Sequence, residues 1–168
     1  MNSTVIYNTL RFVLLLAAQI TIFNNMNLFG YVNPFPYILF IMLFPVNGNK
    51  YSLLLSSFLL GLTMDMFLNS GGVHATSCLI LAYFRPYIFK FSFGLSYEYQ
   101  TVKINDSLSP ERFSFILISV IIHHFSLFIL EIFTFEYFFT IITRTILSTL
   151  FTLILSIIII YLIKPNRR

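Results

Sequence analysis

Charge is what this sequence has least of. Of its 168 residues only 10% are Asp, Glu, Lys or Arg, while 58% are apolar and 18% aromatic; soluble domains carry about 25% charge. So few charges cannot cover the surface of so large a core, which excludes an ordinary water-soluble domain, and disorder needs the opposite composition. A lone cysteine, Cys78, excludes an internal disulfide, and with neither a CxxC pair nor an HExxH helix present, thiol redox and zinc chemistry have no ligand set. No G-x-S-x-G elbow, Walker loop or DxD-like acidic pair occurs, so no motif supports an enzyme. Blocks of like charge are missing too: the net charge of +4 comes from ten Lys/Arg placed singly between apolar runs, a pattern for lipid headgroups and not for nucleic acid.

What is there is a succession of six apolar runs, roughly 7–23, 34–46, 51–68, 74–91, 113–133 and 137–163. The first resembles a signal peptide in having one basic residue, Arg11, before its apolar stretch, but no A-x-A-like site follows, so it reads as a retained span. The second is bounded and interrupted by Pro34, Pro36 and Pro45, leaving about a dozen apolar residues where a spanning helix needs about 17–25. Runs three and four flank Asn69-Ser70-Gly71-Gly72, a turn cluster that folds two helices into a tight hairpin. The expected fold is all-α: one polytopic membrane domain over 1–168, a bundle of six transmembrane helices with the second short or irregular, and a polar loop at about 92–112.

Charge parity orients this bundle. If all six runs cross, one side holds Arg11, Lys50, Lys90, Lys103, Arg112, Lys164, Arg167 and Arg168, with Arg85 near the same end of run four, whereas the opposite loops contain no Lys or Arg. The positive-inside rule then puts both termini and the long loop in the cytoplasm.

Ionisable groups inside apolar runs are costly and therefore candidates for function. Asp65 sits about six residues before the outer turn, hence about 9 Å below it. Arg144 and Glu131 fall at matching depth on runs six and five. The expectation is an outer-half polar cluster of Asp65, Glu131 and Arg144 with His74 at its rim; the plainer alternative is that Glu131 and Arg144 snorkel to the interface. Ser57, Gly61 and Asp65 recur every four residues, a small-xxx-small seam for close helix packing or for a partner, and Arg144, Ser148, Thr152 and Ser156 form a second stripe. His123 and His124 are adjacent and diverge by about 100°, so they cannot share a metal; they read as hydrogen-bonded core histidines or as a proton relay. Arg85-Pro86 reads as a kink with a guanidinium that binds headgroups or snorkels.

The stretch Gly61-Leu62-Thr63-Met64-Asp65-Met66-Phe67-Leu68-Asn69-Ser70-Gly71-Gly72-Val73-His74-Ala75, followed by Ala82-Tyr83-Phe84-Arg85-Pro86-Tyr87, resembles the signature region of the rod shape-determining protein MreD family. Gln19, Leu28-Phe29-Gly30 and Pro34-Phe35-Pro36-Tyr37 are similar to the versions in its Bacteroidetes-type members, so the resemblance covers nearly the whole chain. It implies a non-enzymatic, cofactor-free, multi-pass inner-membrane subunit of the machinery that directs lateral peptidoglycan synthesis, working with MreC, MreB, RodA and a wall-building transpeptidase. Carried over by residue, Gly61, Asp65 and Gly71 or Gly72 occupy the motif, and Arg85-Pro86 the segment after it. His74 stands where other branches carry a different residue. The family in turn resembles the substrate-capturing subunits of energy-coupling-factor transporters. That resemblance implies a second reading, a small-molecule-binding subunit with a pocket lined by Asp65, His74, Glu131 and Arg144.

Overall fold

The computed structural model describes residues 3–28, 30, 32–94 and 109–163, and among them the only regular structure is helical apart from one isolated bridge, Leu28 to Val32. Among the described residues there are five long helices: α1 (Ser3–Thr21), α3 (Lys50–Leu68), α4 (Val73–Phe93), α5 (Pro110–Ile132) and α6 (Phe138–Ile163). Between α1 and α3 lie two 3-10 turns, Phe23–Asn25 and Pro36–Ile38, the second running into a four-residue helix, α2 (Leu39–Met42). Most of the loop expected at 92–112 falls outside the described residues, as do Lys103, Lys164, Arg167 and Arg168.

Local chemistry sets the helix ends. Asn49 is extended and its side chain accepts the Tyr51 amide at 2.8 Å, capping α3. At the other end Asn69, Gly71 and Gly72 have φ of +53°, +67° and +96°, a left-handed run that reverses the chain in four residues because two of the three lack a Cβ. Ser109 caps α5, Pro110 occupies its first turn, where a missing N–H costs nothing, and Glu111 complements the positive end of the helix dipole.

Run two departs most from a bundle of six similar helices. No helix of spanning length forms there. Proline at 34, 36 and 45 forbids continuous i to i−4 bonding and pushes each preceding residue toward extended backbone, so the run breaks into an extended stretch, the 3-10 turn and α2. It is also the most enclosed segment of the chain: Tyr37, Ile38, Leu39 and Ile41 are fully buried and Phe40 and Met42 nearly so. Among the described residues four segments are long and apolar enough to cross a membrane: Val5–Asn25, Lys50–Leu68, Pro110–Ile132 and Phe138–Ile163. Helix α4 has the length, 21 residues, but its His74, Arg85 and Lys90 dilute its apolar character. It lies at the centre, packed between α3 and α5, with α6 on the far side of α5.

The outer surface suits a protein in lipid. Leu55, Met66, Ile146, Leu150 and Ile154 each expose more than half their area, apolar surface that a soluble monomer would not leave open over several helices. Tyr51, Tyr83, Tyr87 and Phe91 are exposed near one end of the bundle and Phe133, Tyr137 and Phe139 near the other, as expected of aromatic side chains at two membrane interfaces. These features are compatible with a multi-pass membrane protein.

Candidate functional site

Four side chains from three helices hold run two in place. A broken backbone at membrane depth survives only when buried in protein that satisfies its freed polar groups. At the start of the run, Gln19 of α1 is fully buried; its amide donates to Pro34 O at 3.0 Å and to Asn24 Oδ1 at 2.9 Å, and its Oε1 faces the Tyr37 amide at 3.4 Å. Thr152 of α6, also fully buried, accepts the Phe35 amide at 3.0 Å. At the far end, Arg11 donates Nη1 to Leu43 O at 2.8 Å, and Arg85 donates Nη2 to the carbonyls of Met42 and Phe44. The C-terminal carbonyls of α2, the negative end of its dipole, thus meet two guanidinium groups. Gln19 and Arg11 lie on one helix at opposite ends of the segment, so run two descends antiparallel to α1.

Arg85 therefore corrects an expectation. Instead of reaching outward to headgroups it is 5% exposed, turned into the bundle and stacked over the Phe89 ring at 4.6 Å. Its partners are carbonyls freed by the helix break. Pro86 is one residue further along the unbroken α4.

Run two delivers Tyr37 to the centre. The Tyr37 hydroxyl lies 2.9 Å from His74 Nδ1 and 3.0 Å from His123 Nε2, with Cys78 Sγ 3.8 Å away. A phenol donates one proton. With both imidazoles neutral, one facing nitrogen must carry a hydrogen and the other must accept, so His74, Tyr37 and His123 form a directional chain with two possible senses. His123 Nδ1 is buried without a hydrogen-bond partner, which favours the sense in which that atom is a bare acceptor and His123 Nε2–H donates to Tyr37, because under-satisfied acceptors are tolerated better than orphaned donors. His124 points elsewhere, as a neighbour on a helix must. Its Nδ1 lies 2.9 Å from Val120 O and its Nε2 3.0 Å from Thr152 Oγ1. The carbonyl fixes the tautomer, so the order runs from Phe35 N–H to Thr152 O–H to His124 Nε2.

Tyr37→Phe deletes the one group shared by two buried imidazoles. The expected result is a loss of about 2–3 kcal/mol in a denaturant titration of the detergent-solubilised protein. Nitrogen NMR should show the His74 Nδ1 and His123 Nε2 resonances displaced and those of His124 unmoved.

Asp65, 6% exposed, accepts the backbone amides of His74 at 2.9 Å and Ala75 at 2.8 Å and the Ser70 hydroxyl. It caps α4 across the hairpin. Gly61 lies one turn below, where a Cβ would press on the His74 carbonyl and the Ala75 backbone, and Ser57 is buried another turn down. The Ser57, Gly61, Asp65 seam is thus occupied within the chain, by α4. Gly71 and Gly72 form the turn above it.

Glu131 and Arg144 do not join Asp65. They pair with each other at 3.2 Å, with side chains 47% and 32% exposed, between α5 and α6, while Asp65 serves the α3–α4 hairpin. The expected four-residue cluster is two separate arrangements: Asp65 with His74 through the His74 backbone, and a half-exposed ion pair. Glu131→Gln and Arg144→Gln should each change unfolding free energy by less than about 1 kcal/mol, measured in the same titration. The remaining members of the second stripe, Ser148, Thr152 and Ser156, face inward and are buried.

Gln19, Tyr37 and Arg11 are side chains of this site that residue patterns do not mark, and Thr152 is marked only as a member of the second stripe. A signal existed: prolines in an apolar run release backbone groups into a medium without water, and polar residues inside neighbouring spans are their only available partners. Among the described residues no group of three or more His, Cys, Asp or Glu is placed to hold a metal ion. No family model, curated protein or solved structure matches this chain.

Proposed function

We propose that this chain is a non-enzymatic scaffold subunit of the bacterial cell-elongation machinery, an MreD-like protein of the inner membrane that helps maintain rod shape and direct lateral peptidoglycan synthesis. Its partners in this reading are MreC, MreB, RodA and a transpeptidase. The observation that carries the proposal is the use made of the motif residues. Gly61, Asp65, Gly71 and Gly72 are spent on building the hairpin between α3 and α4, so the stretch resembling the family signature is architectural and presents no reacting group.

The transport-subunit reading has less support. It requires Asp65, His74, Glu131 and Arg144 around one pocket, whereas Glu131 and Arg144 pair apart from the other two. In the proposed topology all six runs cross, run two as a broken, protein-enclosed segment. Arg11, Lys50 and Arg112 then share the cytoplasmic side with both termini. Tyr7 and Arg11 of α1 and Ile163 of α6 line one cleft, which puts the start of α1 and the end of α6 at the same end of the bundle and supports an even number of crossings.

Depletion of the protein in its host tests the reading. Rounding of rod-shaped cells, reversed by the native gene, is the expected result; rods that persist while uptake of a nutrient fails would replace the scaffold by the transport subunit.

A further inference from the structure

A cleft of about 900 Å³ separates α1 from α6. Its walls include Leu14, Leu15 and Ala18 of α1 and Ile159 and Ile163 of α6, and Arg11 and Leu43 also line it. It exists because α1 packs on run two and α3 instead of along α6, leaving Leu10 and Leu14 more than half exposed.

We propose that this cleft is a binding site for one anionic phospholipid, its acyl chains along the aliphatic walls and its phosphate on Arg11. Three observations on the chain select that occupant. The volume falls within the range of small-molecule sites, about 300–1,000 Å³, and the lining is apolar except where Tyr7, Asn8 and Arg11 stand together near the start of α1. The one charge among them is a guanidinium with five N–H donors; Nη1 is used on Leu43 O at 2.8 Å, which fixes the group while its remaining donors suit the oxygens of a phosphate. Sequence adds charge of the same sign, since Lys164, Arg167 and Arg168 come within five residues of Ile163.

A transmembrane helix of another protein is the competing occupant, and the walls argue against it. Helices associate in lipid through small or polar residues. Here the small-residue stripe of α6, Ser148, Thr152 and Ser156, is already buried within the chain, with Thr152 held on Phe35 and His124, and the stretch of that helix that reaches the cleft offers Ile159 and Ile163, facing Leu14. Flexible acyl chains fill such a surface without needing a flat seam.

Native mass spectrometry of the full chain in detergent, titrated with phosphatidylglycerol or phosphatidylcholine of identical chains, tests the site. One phosphatidylglycerol should be retained per chain, at about tenfold lower lipid than phosphatidylcholine. Ile159→Trp narrows the cleft without touching the Arg11–Leu43 bond and should abolish that retention. Arg11→Gln should reduce phosphatidylglycerol retention to the phosphatidylcholine level. Equal retention of the two lipids by the native chain, or undiminished retention by Ile159→Trp, overturns the proposal. A photoreactive residue at position 14, activated in native membranes, reads the same site without a folding requirement on either variant: a phospholipid adduct supports the assignment, and a polypeptide adduct overturns it.

Discussion

Gly61→Leu should yield almost no folded protein, and even Gly61→Ala should lose about 2–3 kcal/mol, at the upper end of what overpacking costs. The reason is what the new atom would meet. A Cβ at position 61 would stand 2.6 Å from the Ala75 amide nitrogen and closer still to the His74 carbonyl. These are backbone atoms of a helix, unable to rotate away as a side chain would, so α3 and α4 must separate. Separation carries further losses, since the Asp65 hydrogen bonds to His74 and Ala75 span the same interface and His74 Nδ1 is positioned on Tyr37 by it. Leu62→Ala, one residue along but 37% exposed on the outer face, is the control and should unfold within about 1 kcal/mol of the native protein. A monodisperse Gly61→Leu with native stability in detergent would show that α3 and α4 do not approach as described.

Much of this architecture was legible because lipid restricts the backbone so severely. Runs three to six are read directly from the lengths of their apolar stretches, and the turn at 69–72 from its glycines. The fate of run two was only half legible. Three prolines predict that a regular helix fails there, but a dozen apolar residues look the same whether they face lipid or the middle of a bundle; the difference lies in whether Gln19, Thr152, Arg11 and Arg85 converge on the freed carbonyls and amides. The placement of Arg85 is hidden from the sequence for the same reason. Its partners are the carbonyls of Met42 and Phe44, groups that every residue possesses and that no residue pattern marks as unpaired. Tyr37 left no periodic signal at all, since it occupies a 3-10 turn of three residues.

Matching depth also proved a weak guide to contact. Counting residues from the turns places Asp65, Glu131 and Arg144 at similar heights, yet α3 packs on α4 while Glu131 and Arg144 sit between α5 and α6. Height along the membrane normal is one coordinate of three, and the order of helices around the bundle supplies the others. For Asp65 the nearer clue was the chain itself: a turn of four residues brings the first amides of the next helix back over the last turn of the one before, where a carboxylate can accept them.

Asp65→Ala is accordingly expected to lose about 3–5 kcal/mol, from two backbone amides and one hydroxyl left without their charged acceptor. The two amides belong to the first turn of α4, where the helix dipole adds to the attraction for a carboxylate. Asp65→Asn separates geometry from charge. It keeps one carbonyl oxygen for a single amide but turns an NH2 group toward the other, so it should recover less than half of the loss, while Asp65→Glu should fare poorly because the longer side chain cannot fit beneath the turn without displacing it. Ser70→Ala removes only the third donor and should cost about 1 kcal/mol. Hydrogen exchange at the His74 and Ala75 amides gives the residue-level check: both should exchange markedly faster in Asp65→Ala and remain protected in Ser70→Ala. Protection that persists in Asp65→Ala would mean that α4 begins with a cap other than this carboxylate.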